Sequence, residues 1–418
     1  MTDMIEHARA ILRNNDRGGY TVPTHRLYPF QWNWDSAFVA MGWVTFDEAR
    51  GFTEVERLLE GQWDDGFIPH IVFHAPSDDY FPGPSVWGVE HTPPTSGITQ
   101  PPVLASAVRR MLDHAKDRAA AEACVAAIYP RLLAHHRWWQ RARDPAGSGL
   151  VSTLHPWETG MDNSPAWDAA LARVPTTTTT PVQRRDTAHV DASMRPRAEE
   201  YQRFIHLVDL FRDVGWQPEK MLAVSPFRVA DIATNSILLR AERDLLALAE
   251  RFGQAGHTAE ISARAEQMRS AIGGLWSTRL GLFQSLDLID RTPIDVAISA
   301  GLLPLYAGAA DASCTRAIAA TLQRWAGQVR FLVPSTAPDD PRFDALRYWR
   351  GPVWAMMNWM IAEGAAGSGE AGLATDLRSS TRDMIANAGF SEYFDPRDGR
   401  GIGGRDFSWT AAIYLLLS

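Results

Sequence analysis

Residues 233–253 read ATNSILLRAERDLLALAERFG. Apolar side chains recur there at steps of three and four, charges gather on the opposite face, and Gly253 is a stop signal, so the stretch specifies an amphipathic helix that reaches back to about 229. The same spacing runs through 2–14, 35–46, 99–116, 119–142, 198–214, 257–276, 311–327, 352–364 and 369–387. Strand-like alternation is short and scattered, as in FIPHIVF (67–73) and QVRFLVP (328–334). No strand–helix alternation supports a parallel sheet. Ten or more helices with connections rich in Trp, Gly and Pro predict an all-α chain built as a double ring of helices, with a pocket formed by the loops at one end.

A chain of 418 residues would ordinarily suggest two or three domains. Helix pairs repeated around one axis remove that need, and residues 1–418 read as a single catalytic domain. The longest stretch without a pattern is 152–197, which holds five threonines at 176–180 between Pro175 and Pro181. β-branched residues in a row make a poor helix. A long loop inside a compact domain is usually functional, and its neighbours Trp157, Glu158 and Asp162 make this one a lid over a site.

Bulk composition excludes several classes. Hydrophobic residues are 45% and charged residues 22%, ordinary for a globular chain. A net charge of −8, with no basic block, argues against a nucleic-acid partner. Cys124 and Cys314 are the two cysteines, too few for a disulfide framework or a thiolate metal site. No apolar run approaches the roughly 18 residues of a membrane span, so no membrane partner is expected and the location reads as cytoplasmic. Homo-oligomerisation is left open. The 16 Trp are the unusual feature, since many stand beside Pro, Gly, Asn or Asp and suit a platform for a polar ring-shaped ligand.

Four clusters combine rings with charge: YPFQWNWDS (28–36), HPWETGMDNSP (155–165), RYWRGPVW (347–354) and FSEYFDPRDGRG (390–401). Sugars stack C–H faces on aromatic rings while their hydroxyls take charged partners. Glycoside hydrolysis further needs one protonated and one ionised carboxyl group. Asp162, in a polar turn before a possible helix at 165–173, is a candidate proton donor or else a helix cap. Glu392, between Phe390 and Tyr393, is a candidate base or else a surface charge.

Five ordered motifs carry a resemblance: DRGGYTVPTHRLYPFQWNWDSAF (16–38), WETGMDNSP (157–165), SMRPRAEEY (193–201), YWRGPVW (348–354) and FSEYFDP (390–396). Over most of its length the chain resembles the glycoside hydrolases of family 63, especially the bacterial hydrolases of mannosylglycerate and glucosylglycerate. The resemblance implies an (α/α)6 barrel with long active-site loops and an inverting mechanism, with Asp162 as acid, Glu392 as base and Asp35 assisting in the sugar pocket. It makes the expected partner a small glycosylglycerate and the expected cofactor none. Trp32, Trp34, Tyr28, Tyr80, Trp157, Tyr348, Trp349 and Gly351 are the expected pocket residues. Arg195 and Tyr201 are expected on the glycerate carboxylate, which an Arg fork suits because it offers paired donors.

Rival readings are an α-glucosidase or trehalase on a neutral disaccharide, which would leave Arg195 without a partner, and a sugar epimerase or isomerase working through His. The glycine run at 399–404 follows no strand and opens no dinucleotide-binding unit; it reads as a flexible loop after the base. His70 and His74, and the adjacent His135 and His136, lack the His-Glu-x-x-His pattern, so no metal is expected. No Gly-x-Ser-x-Gly elbow occurs.

Overall fold

A computed structural model describes residues 2–25, 27–188 and 190–418. Arg26 of the first motif and His189 of the 152–197 segment lie outside the described residues. The helices are α1 (Thr2–Asn15), α2 (Asn33–Val44), α3 (Glu48–Leu59), α4 (Leu104–His114), α5 (Arg118–Arg143), α6 (Ala198–Asp213), α7 (Ile232–Phe252), α8 (His257–Gly273), α9 (Pro304–Ala307), α10 (Ala312–Ala326), α11 (Ala355–Gly367), α12 (Ala371–Ala388) and α13 (Ser408–Leu416). Among the described residues, α2, α4, α7, α9, α11 and α13 touch in that order and α13 returns to α2, forming an inner ring. Around it α1 packs on α13, α3 on α2, α5 on α4 and α7, α8 on α7, and α12 on α11, while α10 packs beside Leu282–Phe283. This is the (α/α)6 double ring. No helix among the described residues is long and apolar enough to cross a membrane.

Local chemistry explains the elements. The Asp231 carboxylate caps α7 by accepting from the Ala233 and Thr234 N–H groups at 3.1 and 2.9 Å, satisfying donors that a helix start leaves unpaired. Of the inner helices, α7 is buried throughout its first two turns and striped beyond them, whereas α2, α11 and α13 are buried over nearly their whole length, so their sequences are apolar all round rather than striped. For that reason α13 (SWTAAIYLL) has no sequence period, and it was not expected. Also unexpected was α3, whose buried face interrupts its apolar stripe with Gly51 and Glu54. Residues 328–334 do not form the strand their alternation suggested; only Pro334 makes a bridge, to Val353. Two short antiparallel pairs matter to the site: Gln31–Trp32 with Ile71–Val72, and Tyr393–Phe394 with Gly401–Ile402.

The 152–197 segment contains short helical turns at Pro156–Thr159, Pro165–Trp167, Asp168–Ala172, Asp186–Ala188 and Ala192–Met194. Side chains of α6 supply the hydrogen bonds that its sequence lacks. Asp209 accepts from the Thr179 and Thr180 N–H groups and the Thr180 hydroxyl, and Arg203 donates to the Leu171, Ala172 and Val174 carbonyls.

Glu54 joins α3 to the strand that leads into the site. Its carboxylate accepts from Gln31 Nε2 (2.9 Å), Ser36 Oγ (2.7 Å), Thr21 Oγ1 (2.8 Å) and Arg50 Nη2 (2.9 Å), and the residue is fully buried. Removing one partner of a buried charge cluster strands the others, at a cost of about 3–5 kcal/mol. Glu54→Ala is therefore expected to lose that much unfolding free energy in urea titration. A loss under about 1 kcal/mol would mean that the cluster does not hold α2 and α3 together.

Candidate active site

The starts of α2 and α13, with Gln100 ahead of α4 and Tyr348 ahead of α11, contribute to one pocket with about 700 Å³ of empty space. The wall residues come from several separate segments of the chain. Asp35 sits in the first turn of α2, where the positive end of the helix dipole favours a carboxylate. Asp162 occupies the turn between Pro156–Thr159 and Pro165–Trp167. That turn is held by buried Glu158, which accepts from Leu154 N–H (2.7 Å) and Arg143 Nη2 (2.6 Å), and by the Trp167 indole N–H on the Met161 carbonyl (2.9 Å). Ser164, not Asp162, caps the following turn.

Glu392 leads into Tyr393–Phe394 and is 1% exposed. Its Oε1 accepts from the Tyr28 hydroxyl (3.0 Å) and Arg195 Nη1 (3.4 Å), and its Oε2 accepts from the Gly404 N–H (3.0 Å). The glycine run at 399–404 is thus a structured part of the site, not a loose loop. It supplies the strand Gly401–Ile402 and the Gly404 donor. A Cβ on Gly403 (φ +76°) would lie 2.4 Å from Glu392 Oε2, so the backbone approaches the carboxylate where only glycine fits.

Arg195 is 5% exposed at the centre of the pocket. Its Nε donates to Asp186 Oδ2 (3.3 Å) and its Nη2 to the Tyr28 hydroxyl (2.7 Å), while the guanidinium lies 4.2 Å from the Tyr348 ring centroid. Burial raises the Asp162 carboxyl to about 7, and the nearby charges of Glu392 and Asp186 add to this against the pull of Arg195. Burial also raises Asp35 well above the carboxylate range, with Glu392 and Glu54 adding to it. Burial raises Glu392 too, opposed by Arg195, the Gly404 N–H and the Tyr28 hydroxyl. Asp186 goes the other way: burial works against its charge, but hydrogen bonds from Arg184 and the charge of Arg195 outweigh it and lower its pKa.

Of the residues expected from sequence, Asp162, Glu392, Asp35, Trp32, Trp34, Tyr28, Tyr80, Trp157, Arg195, Tyr201 and Tyr348 line the pocket together. The Tyr201 hydroxyl donates to the Phe81 carbonyl at 2.8 Å, so its proton is committed within the wall. Trp349 and Gly351 do not line the pocket. The Trp349 ring stacks on Trp354 at 3.9 Å behind Tyr348, and Gly351 is required because a Cβ would meet the Asp344 carbonyl oxygen at 2.4 Å. Arg350 turns away to pair with Asp168 at 2.8 Å.

Sequence reading missed Asp186, Gln100, His70, Phe407 and Trp409 in the wall. Asp186 stands in Arg-Arg-Asp, which looks like a solvated charge run. Trp409 belongs to the helix whose sequence carries no period. Gln100 left a usable trace, since it precedes Pro-Pro at the start of α4, and its Oε1 accepts the Trp34 N–H at 3.3 Å.

The sequence profile of the "Mannosylglycerate hydrolase MGH1-like glycoside hydrolase domain" matches residues 28–410. The chain belongs to this family. It is 49% identical over 412 residues to mannosylglycerate hydrolase MGH1 of Selaginella moellendorffii, covering 98% of this chain and 84% of that one. Glucosylglycerate hydrolase of Mycolicibacterium hassiacum is 35% identical over 433 residues, covering 99% of this chain and 97% of that protein. The solved structure of the family 63 mannosylglycerate hydrolase of Thermus thermophilus in complex with Tris and D-glycerate superposes with a TM-score of 0.96 at 46% identity, covering 99% of both chains. The chain is therefore a glycoside hydrolase, and the family assignment read from its five motifs holds.

Two expectations follow from the geometry. Asp162 is neutral in the unfolded chain only below about 4, but in the fold up to about 7. The folded state therefore binds the extra proton across that window, and Asp162 costs stability as pH rises through it. Relative to wild type, Asp162→Asn should gain stability progressively from pH 4 to 7 and level off above. A difference that stays flat with pH, measured by urea unfolding, would contradict the raised carboxyl. Gly403→Ala should keep the fold but displace Glu392, lowering kcat by at least about tenfold; wild-type kcat in a folded variant would show that the contact is not limiting.

Proposed function

We propose that this chain hydrolyses small α-glycosides of glycerate, with mannose or glucose as the sugar, and does so with inversion. One observation carries the reading. Two carboxyl groups share an aromatic pocket under unequal conditions: burial raises both, Asp162 to about 7 with neighbouring carboxylates adding to it, while Glu392 receives three donors that stabilise its charge against the rise. The first suits a general acid at neutral pH and the second a general base. Asp162 gives its proton to the glycosidic oxygen as the bond to the anomeric carbon breaks, releasing glycerate. Glu392 takes a proton from a water that attacks the opposite face, giving the free hexose with inverted configuration.

The surrounding residues support the substrate class. Trp32, Trp34 and Trp157 offer ring faces, and Asp35 an acceptor for hydroxyls. Arg195 already has Asp186, Glu392 and the Tyr28 hydroxyl as partners, so its charge alone does not separate an anionic aglycone from a neutral disaccharide. The names of the relatives, and the D-glycerate bound to the Thermus thermophilus structure, point to the same class. The 152–197 segment, which contributes Trp157, Asp162, Asp186 and Arg195 to the wall, serves in this reading as the lid.

The test is a panel of mannosylglycerate, glucosylglycerate, the matching glycosylglycerols and trehalose, with the first anomer followed by proton NMR. A charge-assisted hydrogen bond is worth about 1.5–3 kcal/mol, so the glycerates should exceed the glycerols in kcat/KM by roughly 10- to 100-fold. Asp162→Ala and Glu392→Ala should each lose at least about a hundredfold in turnover. Equal use of glycerates and glycerols would overturn the substrate class, and a retained anomer would overturn the mechanism. Arg195→Ala is not a clean probe of substrate choice, because Arg195 also holds Glu392.

A further inference from the structure

Glu158 and Trp167 hold the chain that leads into Asp162, through Leu154 and Met161. The residue that follows Asp162 is held from elsewhere. Asn163 is 1% exposed; its Oδ1 accepts the Trp349 N–H at 3.0 Å and its carbonyl accepts Arg350 Nη1 at 3.3 Å. Arg350 also donates to both carboxylate oxygens of Asp168, from Nη1 and Nη2 at 2.8 Å each. One guanidinium thus spans the chain from Asn163 to the start of the helical turn Asp168–Ala172.

The Asp168 side chain is 44% and that of Arg350 13% exposed. An ion pair so open to solvent adds little to stability. Its worth lies in geometry, because a planar guanidinium that engages both oxygens of a carboxylate fixes direction as well as distance. The turn that carries Arg350 also needs holding, since Tyr348 has φ +38°, a region that a bulky side chain rarely adopts. Three contacts keep it there: the Arg350 N–H on the Arg347 carbonyl at 2.8 Å, the Asp344 N–H on the Arg350 carbonyl at 2.9 Å, and the Trp349 N–H on Asn163. The turn of Asp162 and the turn of Tyr348 are therefore locked to each other by Asn163, Asp168 and Arg350, none of which lines the pocket.

We infer that Arg350 is a positioning residue for the general acid: paired with Asp168, it keeps the Asp162 carboxyl within reach of the glycosidic oxygen without itself touching the substrate. The inference rests on the reading of Asp162 as the acid. A general acid must come within about 2.6–3.2 Å of the oxygen it protonates, and a misplacement of about 1 Å can cost roughly a hundredfold. The charge of Arg350 is not the agent, since the charged groups that act most on the Asp162 carboxyl are Arg195, Glu392 and Asp186. Loss of Arg350 therefore damages the step that needs a donated proton and spares a reaction that does not. An α-glycosyl fluoride supplies that reaction. Water attacks the anomeric carbon and gives its proton to Glu392, the C–F bond breaks, and fluoride leaves with the bonding pair, unprotonated.

The test measures kcat for wild type, Arg350→Gln, Asp162→Asn and the double variant on whichever glycoside of the panel is hydrolysed fastest, and on the α-fluoride of the same sugar. Arg350→Gln should lose about tenfold or more on the glycoside and less than about threefold on the fluoride. In the Asp162→Asn background, adding Arg350→Gln should cost less than about twofold on the glycoside, because the group it positions is gone. Asp168→Asn removes the partner at an exposed site; it should repeat the pattern, and it serves if Arg350→Gln does not fold. Equal losses on both substrates, a glycoside loss under about threefold, or losses that multiply in the double variant overturn the inference. Wild-type turnover in Asp162→Asn would overturn the reading of Asp162 as the acid, and the inference with it. Use of the fastest glycoside keeps the outcome independent of the aglycone.

Discussion

Arg195 is a cation that the whole pocket shares. Its guanidinium holds Asp186, Glu392 and the Tyr28 hydroxyl at once and lies over the Tyr348 ring. The wall carries four carboxyl groups, Asp35, Asp162, Asp186 and Glu392, and Arg195 is its one guanidinium among the described residues. One buried cation cannot keep four buried carboxylates ionised, because charge in a poorly solvated site needs a partner. The protons are distributed accordingly. Asp186, which also has Arg184, is lowered, while burial pushes Asp35, Asp162 and Glu392 upward, Glu392 against the pull of three donors. The unequal carboxyl groups thus come first from burial and then from the sharing of one cation, rather than from anything peculiar to one residue.

The ring makes that sharing possible by bringing distant segments to one place. Asp35 comes from the start of α2, Trp409 from the start of α13, and Asp162 and Arg195 from the long segment between α5 and α6. Three of the carboxyl groups have buried polar contacts behind them: Glu54 behind the strand that leads to Asp35, Glu158 behind Asp162, and Gly404 behind Glu392. Buried hydrogen-bonded contacts of this kind hold a site to one geometry.

How much was legible in the sequence depended on what surrounds each residue. Helices with one face toward water show their period, α7 of the inner ring among them, and the five motifs located the acidic and aromatic walls. The inner helix α13 is buried on every side and has no stripe to read, and the stripe of α3 (Phe52, Val55, Leu58, Leu59) is interrupted by Gly51 and a charged Glu54 in its buried face. The 152–197 segment looked patternless because its order is supplied by Asp209 and Arg203 of α6. Asp186 looked like a surface charge because its partner Arg195, nine residues on, meets it only in the fold. Trp349 and Gly351 sit in a motif that does reach the pocket, but through Tyr348, and spacing alone does not tell the ring in front from the ring behind.

The proton on Asp162 is the quantity to measure. Carbon-13 NMR of protein labelled at the aspartate side-chain carboxyl follows it directly, with Asp162→Asn to assign the resonance. The expected result is one aspartate that titrates near pH 7 and is absent from the variant spectrum. An Asp162 resonance that titrates below pH 5, in the ordinary carboxylate range, would contradict a site in which shared positive charge leaves this residue holding its proton.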